Sequence, residues 1–537
     1  MARTSKQKSQ NADVVLPSQA SPQGAGLPDE EFRLFSSLDT TGSGLLPAKR
    51  LIDALETLGI LVDDPRLDMS RLGIDNVRDV ADLSISFEQF SSFVQNSKST
   101  LIKDALQGSL VVPDFDAFRA SLRDMFVATK KNTSGQVANY IPQLGRVSPE
   151  NFAVSACTID GQRTSFGNST TPFCIQSVCK PINYCIALEQ FGEETVHKHV
   201  GREPSGIGFN SLALNSVGLP HNPMINAGAI MMCSMIRPEE AMADRFDSVV
   251  DMWRRLGGGG HVGFNNAVYL SERQTADRNF ALGYFMREKN AFPKGTNLID
   301  TLEFYFQCCS IETTSDVMAI VAATLANGGI CPLTGERILG SNTVKNCLSL
   351  MSSCGMYDFS GEFAFLVGLP AKSGVGGGLM VVVPNVLGLC IWSPALDNLG
   401  NSVRGVEFCK RLVETFNFHV FDSLASGTSN KVDPRQKRIN SHAQAVTALC
   451  YAAATGDVRE MRHLIARGID LNMADYDGRT AMHLAASEGH AAIIDILIAR
   501  GAYVNPRDRW GNTPLGDARS GLRADVITVL EANNAIV

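Results

Sequence analysis

Residues 172–181 read Pro-Phe-Cys-Ile-Gln-Ser-Val-Cys-Lys-Pro, an S-x-x-K pattern formed by Ser177 and Lys180. Three residues make almost one helical turn, so the hydroxyl and the amine are expected to share one face of a helix. A hydroxyl that attacks a carbonyl and an amine that takes its proton are sufficient for acyl transfer. The pattern therefore predicts a nucleophile at Ser177 with Lys180 as its base, although S-x-x-K alone also occurs in ordinary helices.

Lys180 can act as a base only when its amine is neutral. An unperturbed lysine has a pKa of about 10.4, so a base at pH 7 needs its pKa lowered by roughly 3, or about 4 kcal/mol. Burial and a nearby cation both lower the pKa of an amine, and Lys372 is the candidate cation. A helix that begins just before Ser177 would also offer backbone N–H groups to an oxyanion.

A second element, Lys372-Ser373-Gly374-Val375, stands just before an apolar run at 376–383. This is the position of the K-T-G edge strand in serine β-lactamases and penicillin-binding proteins, where the strand faces the serine helix. The sequence therefore predicts an α+β catalytic domain of that kind. The S-D-N element of that class is absent, so another polar group must serve the leaving nitrogen, and Tyr305 and Tyr357 are the candidates.

Composition points to several globular domains in an intracellular protein. The chain has 537 residues, of which 44% are hydrophobic and 19% charged, with a net charge of −7. This charge is too mild to indicate nucleic acid or an anionic membrane surface, and no run is long enough to span a membrane. The 13 cysteines show no metal-ligand spacing, which favours reduced thiols that pack in the core.

Five segments are predicted along the chain. Residues 1–28 are rich in Ser, Gln, Gly and Pro and are expected to be disordered. An EF-hand-like helical domain is predicted at 29–114 and the catalytic domain at 115–423. A polar linker is predicted at 424–440, and ankyrin repeats at 441–537.

The EF-hand-like loop has the correct spacing but not the correct ligands. Asp39 and Gly44 occupy its first and sixth positions, yet Arg50 stands at position twelve, where calcium needs a bidentate glutamate. Asp39 is also its only carboxylate. We therefore predict a metal-free helical hairpin, with a second hairpin half near 83–90 packed against it.

The C-terminal region repeats itself with an offset of 33 residues. The segment T-A-L-C-Y-A-A at 447–453 recurs as T-A-M-H-L-A-A at 480–486 and as T-P-L-G-D-A-R at 513–519. Three leucines keep the same spacing: Leu464, Leu497 and Leu530. This period and pattern predict ankyrin repeats, which need about three units for a stacked core and often bind protein partners.

The central region closely resembles the phosphate-activated glutaminases of animals. The resemblance rests on blocks at 140–144, 172–181, 203–206, 221–229, 271–273 with 277–280, 354–361 and 370–375. The order of domains, from EF-hand-like hairpins through a catalytic domain to ankyrin repeats, is also that of the family.

The resemblance implies a role for each matching residue. Ser177 would be the nucleophile, Lys180 its base, and Lys372, Ser373 and Gly374 supporting residues. Substrate contacts are implied for Tyr140, Ser177, Asn226, Glu272, Asn279, Tyr305, Tyr357 and Val375. This set suits free glutamine, because Glu272 can bind the α-ammonium group while the Asn226, Asn279 and Tyr140 side chains donate to the α-carboxylate. The two other tyrosines, Tyr305 and Tyr357, would lie near the departing ammonia, and Val375 would give a backbone N–H to the oxyanion.

The implied activity is hydrolysis of L-glutamine to L-glutamate and ammonia without a metal or an organic cofactor. The family further implies inorganic phosphate as activator, a homotetramer built as a dimer of dimers, and a mitochondrial location, with the cytosol as alternative. The family's mobile loop aligns with 206–214, but Ala213 stands where family members often carry a bulky aromatic residue, so it stays open whether loop-directed regulation carries over. Two rival hypotheses remain at this stage: an inactive ankyrin scaffold, which glutamine turnover would exclude, and a penicillin-binding-like acyltransferase, which labelled penicillin would detect.

Overall fold

The computed structural model describes residues 30–39, 43–72, 74, 83–96, 100–206, 208, 210–422, 431–435, 441–466 and 469–537. The segment predicted to be disordered, 1–28, lies outside these residues, as does most of the predicted linker. The described residues form two compact units, one of residues up to 52 with 68–103 and one of 53–67 with 104–537. The domain boundaries proposed from the sequence stay predictions.

The first unit contains the EF-hand-like elements. They are helices α1 (Glu30–Leu38), α2 (Ala48–Thr57, which continues beyond residue 52), α3 (Phe87–Asn96) and α4 (Leu101–Leu106) and strands β1 (Leu45–Pro47) and β2 (Ser84–Ser86). The two strands pair antiparallel, with Leu46 opposite Ile85, and the Phe35 ring lies edge-on to Phe87 and Phe90. The predicted second hairpin half therefore packs as expected.

In the EF-hand-like loop, the carboxylate of Asp39 accepts a hydrogen bond from the backbone of the same loop. The Gly44 N–H donates to Asp39 Oδ2 at 2.8 Å, and Gly44 has the positive φ of 75° that the sharp turn requires. Within the described ranges, no three His, Cys, Asp or Glu side chains come together as metal ligands. The metal-free character of the loop stays a prediction.

An antiparallel five-stranded sheet organises the second unit. Its strands, in spatial order, are β5 (Arg163–Gly167), β4 (Ala153–Thr158), β11 (Leu387–Trp392), β10 (Gly378–Val383) and β9 (Ala371–Ser373). The apolar stretch 378–392 forms a hairpin rather than one strand, because Pro384 and Asn385, which has a φ of 60°, make a turn. Two smaller sheets contain β3 (Gln136–Val137) with β12 (Ala395–Leu396), and β6 (Phe173–Cys174) with β8 (Ile311–Thr313) and β7 (Gly263–Phe264).

Helices cover both faces of the central sheet. One face packs against α5 (Phe115–Lys130) and α16 (Val403–Thr415). The other face packs against α13 (Ser315–Ala326), beyond which lies a largely helical layer. The further helices are α6 (Pro142–Gly145), α7 (Cys179–Val196), α8 (Asn226–Met235), α9 (Met242–Leu256), α10 (Asn266–Gln274), α11 (Asp277–Glu288), α12 (Leu298–Cys309), α14 (Ser341–Cys354) and α15 (Ser360–Leu366). An antiparallel sheet packed against helices agrees with the predicted α+β class.

Cysteines contribute to this core as the sequence predicts. All 13 are buried and none forms a disulfide. They behave as small apolar side chains.

Helix α13 approaches the sheet closely only because Gly388 has no side chain. A Cβ atom at Gly388 would stand 2.1 Å from the backbone nitrogen of Ala323. Gly388→Ala should therefore lower the free energy of unfolding of this domain by about 3 kcal/mol, since helix and sheet must separate. Thermal unfolding followed by tryptophan fluorescence measures this change.

Gly361→Ala is the matched control for Gly388→Ala. Nothing lies within 4 Å of a Cβ atom built at Gly361, and alanine is the better helix former at this position in α15. We expect its melting temperature to stay at or slightly above that of the unmodified protein. Equal melting temperatures for the two variants would contradict the close approach of α13.

The repeats form pairs of helices with the predicted period. They are α17 (Ser441–Thr455), α18 (Val458–Ala466), α19 (Ala481–Glu488), α20 (Ala491–Ala499), α21 (Pro514–Ser520) and α22 (Ala524–Ala532). The three leucines of the pattern are buried in the shared core. Thr480 and Thr513 cap their helices, Thr480 with His483 in a reciprocal capping box. Across the described segments, no helix combines the length and apolarity that crossing a bilayer requires.

Candidate active site

The Ser177 hydroxyl and the Lys180 amine are in hydrogen-bonding contact. Lys180 Nζ lies 2.8 Å from Ser177 Oγ and 2.8 Å from Asn226 Oδ1. The helix α7 begins at Cys179, two residues later than expected, and Ser177 lies in a 3₁₀ turn at Gln176–Val178. Gln176 causes this difference, because its φ of 50° is left-handed and cannot continue a right-handed helix.

The environment of Lys180 favours a neutral amine. Lys180 is completely buried, and burial lowers the pKa of its amine, while neighbouring cysteines and Glu272 act weakly in the opposite direction. A desolvated amine binds a proton less readily. Of the two causes expected from the sequence, burial is thus the first cause of the lowered pKa of Lys180, and Lys372 is not among its causes.

Strand β9 lies against the turn that carries Ser177. A Cβ atom on Gly374, which follows β9, would stand 2.6 Å from the backbone oxygen of Ile175, so the glycine permits this close approach. The strand is also at the edge of its sheet. The K-S-G element therefore faces the nucleophile, as the comparison with the K-T-G strand predicts.

Lys372 is a second buried amine in the site. It donates to the backbone oxygen of Ser373 at 2.6 Å and lies 4.5 Å from the centre of the Tyr357 ring. Burial, followed by repulsion from Lys180, holds the pKa of Lys372 well below its ordinary value. Burial and Lys180 thus both disfavour the cationic form of Lys372 that the sequence suggested. The hydroxyl of the neighbouring Ser373 is buried.

Tyr357 stands beside the nucleophile in a strained backbone conformation. Its φ is 53°, which is uncommon for a bulky residue and is typical of functional sites. Burial raises the pKa of Tyr357, and hydrogen bonding with Ser177 and with the Val375 backbone acts in the opposite direction. The phenol is thus close both to the nucleophile and to the predicted oxyanion donor, and it stays neutral at ordinary pH.

Glu272 is fixed by two neutral partners. It accepts hydrogen bonds from the hydroxyl of Tyr140 and, at 3.1 Å, from Gln176 Nε2. Half of the Tyr140 surface is exposed, but its hydroxyl is covered, and this burial raises the pKa of Tyr140 well above its ordinary value. Burial also raises the pKa of Glu272, while its hydrogen bonds and Lys180 lower it.

These residues surround one cavity of about 300 Å³. Its walls include seven of the predicted residues: Tyr140, Ser177, Asn226, Glu272, Asn279, Tyr305 and Val375. Asn226 Nδ2 donates to Asn279 Oδ1 at 3.1 Å, and burial raises the pKa of Tyr305 well above its ordinary value. Tyr357 lines a neighbouring cavity. The structure therefore brings the predicted site residues together from eight separate segments.

Sequence reasoning missed several residues of this cavity. They are Gln176, Asn210, Thr275, Ala276, Arg278, Phe306 and Cys309. Three of them adjoin a predicted site residue in the sequence, so proximity could have indicated them: Gln176, Arg278 and Phe306. The others carry no sequence signal that distinguishes them from ordinary surface or core residues.

Sequence profiles match along most of the chain. The profile described as Glutaminase matches residues 135–421. The profile described as Ankyrin repeats (3 copies) matches 405–530, and an EF-hand domain profile matches 31–113. The profiles thus agree with the three regions inferred from sequence patterns.

Individual relatives agree with the profiles. The chain is 43% identical over 485 residues to the "Glutaminase liver isoform, mitochondrial" of Rattus norvegicus, covering 87% of this chain and 80% of the relative. It is 42% identical over 307 residues to a "Glutaminase" of Nostoc sp., covering 57% of this chain and 91% of the relative. The solved structure named "Probable glutaminase ybaS" is 34% identical with a TM-score of 0.54, and the match covers 57% of this chain and 99% of that one.

Proposed function

The chain belongs to the glutaminase family, and we propose that it hydrolyses glutamine through a glutamyl ester on Ser177, with Lys180 as general base. The family identifies an amidohydrolase acting on L-glutamine, with L-glutamate and ammonia as products. The observation that carries the mechanism is the 2.8 Å contact between Lys180 Nζ and Ser177 Oγ. Complete burial of the amine supports its neutral, basic form.

Acylation follows from this geometry. The Lys180 amine takes the Ser177 proton while Oγ attacks the side-chain carbonyl carbon of glutamine. The resulting oxyanion would accept hydrogen bonds from the backbone N–H groups of Ser177 and Val375, a contribution typically worth about 10²–10³-fold in rate per donor. The Lys180 ammonium then returns its proton to the departing nitrogen, and ammonia leaves near Tyr305 and Tyr357.

Deacylation repeats these steps with water as nucleophile. Lys180, neutral again, takes a proton from a water molecule that attacks the ester carbonyl. The tetrahedral adduct collapses, the proton returns to Ser177 Oγ, and glutamate leaves. One amine therefore serves both halves of the reaction.

The cavity walls suit the charged end of a free amino acid. We expect the Glu272 carboxylate to bind the α-ammonium group of glutamine. The side-chain amides of Asn226 and Asn279 would donate hydrogen bonds to the α-carboxylate, and Tyr140 would do so by exchanging its hydrogen bond to Glu272 for one to the substrate. The Asn226 side-chain oxygen also accepts a hydrogen bond from the Lys180 amine. The same side chain would therefore contact both the general base and the bound substrate.

Four further features of the protein are proposals from family membership. We expect inorganic phosphate to activate the enzyme and the chain to assemble as a dimer of dimers. The rat relative is named mitochondrial, which supports a mitochondrial location, with the cytosol as alternative. The ankyrin repeats suggest protein partners.

Ammonia release from glutamine and from asparagine, with and without phosphate, tests the proposed function. We expect turnover of glutamine and at least about tenfold lower kcat/KM for asparagine. The asparagine side chain is one methylene shorter, so its amide carbon would not reach Ser177. Phosphate should raise the rate with glutamine. No ammonia from glutamine in either buffer would contradict the proposed activity.

A further inference from the structure

Two oppositely charged side chains line the substrate cavity. Among the cavity-lining residues in the described part of the chain, Glu272 and Arg278 are the charged ones. Glu272 lies near the end of α10, and Arg278 lies in the first turn of α11. Free glutamine carries one positive and one negative group on its α-carbon. The cavity thus has one oppositely charged side chain for each of these two groups, although only Glu272 has a role in the proposed mechanism.

Two other exposed arginines are paired with carboxylates within the protein, and Arg278 is not. Arg273 pairs with Glu303 at 2.5 Å, and Arg255 pairs with Glu336 at 2.5 Å. Arg278 is exposed, and among the described residues it has no carboxylate within ion-pair distance. Its positive charge therefore remains available to a ligand in the cavity.

The backbone places Arg278 on the carboxylate side of the cavity. It immediately precedes Asn279, whose side-chain oxygen accepts from Asn226. Both residues belong to the first turn of α11, a helix of 12 residues whose N-cap residue, Ala276, makes no side-chain cap bond. The positive end of the helix dipole adds to the guanidinium charge on this side.

We propose that Arg278 is a specificity-determining residue that selects substrates with a free α-carboxylate. This inference rests on the proposed function, because it assumes that glutamine occupies this cavity. Arg278 attracts the carboxylate of an entering zwitterion at the rim, while Glu272 holds its ammonium group deeper inside. A glutamine whose α-carboxylate is blocked, as in a peptide or an α-amide, gains nothing from Arg278.

An exposed charge limits the size of the effect. Water and salt screen an exposed ion pair, so its removal should raise KM about fivefold, which corresponds to about 1 kcal/mol. The attraction should also weaken as salt shortens the screening length. Because Arg278 acts on binding and not on the reacting atoms, kcat should stay within about twofold.

Steady-state kinetics of Arg278→Gln with L-glutamine and with L-glutamine α-amide test this inference. The α-amide keeps the reacting side chain and the ammonium group but has no carboxylate. We expect Arg278→Gln to raise KM for glutamine about fivefold and to leave kcat/KM for the α-amide unchanged. Raising KCl from 50 to 500 mM should increase KM of the unmodified enzyme and change that of Arg278→Gln little.

Two control variants separate this role from general effects. Arg278→Lys keeps the charge and should retain most of the affinity for glutamine. Arg123→Gln removes an exposed arginine from α5, which packs on the other face of the sheet, and should behave like the unmodified enzyme. Size-exclusion chromatography should show the same assembly for all forms.

Each contrary outcome has one meaning. Unchanged KM for glutamine in Arg278→Gln, equal losses with both substrates, or an altered assembly would overturn the role of Arg278. Absence of glutamine hydrolysis by the unmodified enzyme would instead overturn the proposed function. The two failures are therefore distinguishable in one experiment.

Discussion

Replacing Ser177 by alanine should lower kcat for glutamine by at least about 10⁴-fold, because the reaction loses the atom that forms the ester. The side chain is small and its hydroxyl contacts Lys180 at 2.8 Å, so folding and assembly should persist. Ammonia release measures the loss, and the thermal shift on adding glutamine measures whether the substrate still binds. We expect binding to be retained.

Ser349→Ala is the matched control for Ser177→Ala. Ser349 is exposed on α14, and its hydroxyl donates only to the backbone oxygen of Lys345 in the same helix. The activity of Ser349→Ala should stay within about twofold of that of the unmodified enzyme. More than about 1% residual activity in Ser177→Ala would show that another group attacks the amide.

Replacing Lys180 by methionine should lower kcat by about 10²–10⁴-fold, the usual contribution of a general base. Methionine keeps most of the length and the apolar stem but cannot accept a proton. The protein should remain folded, since methionine removes the buried amine and leaves no unpaired charge in its place. Lys345→Met, at an exposed position on α14, provides the control.

The pH dependence of the unmodified enzyme tests the same role independently. Burial lowers the pKa of Lys180 below its ordinary value of 10.5, and only the deprotonated amine is a base. The value of kcat/KM should therefore rise with pH through this lowered pKa and level off at a lower pH than an unperturbed lysine would give. Protonation of Glu272, whose pKa is raised by burial, should weaken substrate binding at the acid end. A rate that keeps rising past pH 10.5 would contradict a buried base.

The sequence was sufficient for the parts of this protein that have a local pattern. A 33-residue repeat fixes the ankyrin helices, and S-x-x-K with K-S-G fixes which two segments must meet. Family resemblance added Glu272 and the two asparagines, which no spacing would have singled out. These predictions needed only residues close together in the chain or blocks shared with relatives.

The remaining features arise from contacts between distant segments. Gln176 reaches Glu272 across 96 positions, and its left-handed backbone delays the start of α7. The burial of Lys372 depends on how β9, Tyr357 and the turn at 176–178 pack together, so its lowered pKa was opposite to the cationic role expected from sequence. Arg278 is distinguished by lining the cavity without a carboxylate at ion-pair distance among the described residues, which is a property of the fold.

The two buried lysines constrain the electrostatics of the whole cycle. Lys180 disfavours a proton on Lys372, and because this repulsion is mutual, a proton on either amine lowers the affinity of the other for one. In the proposed reaction, Lys180 gains a positive charge while the substrate oxygen becomes negative. A proton that Lys180 takes from Ser177 would therefore favour the uncharged form of Lys372 while the oxyanion forms.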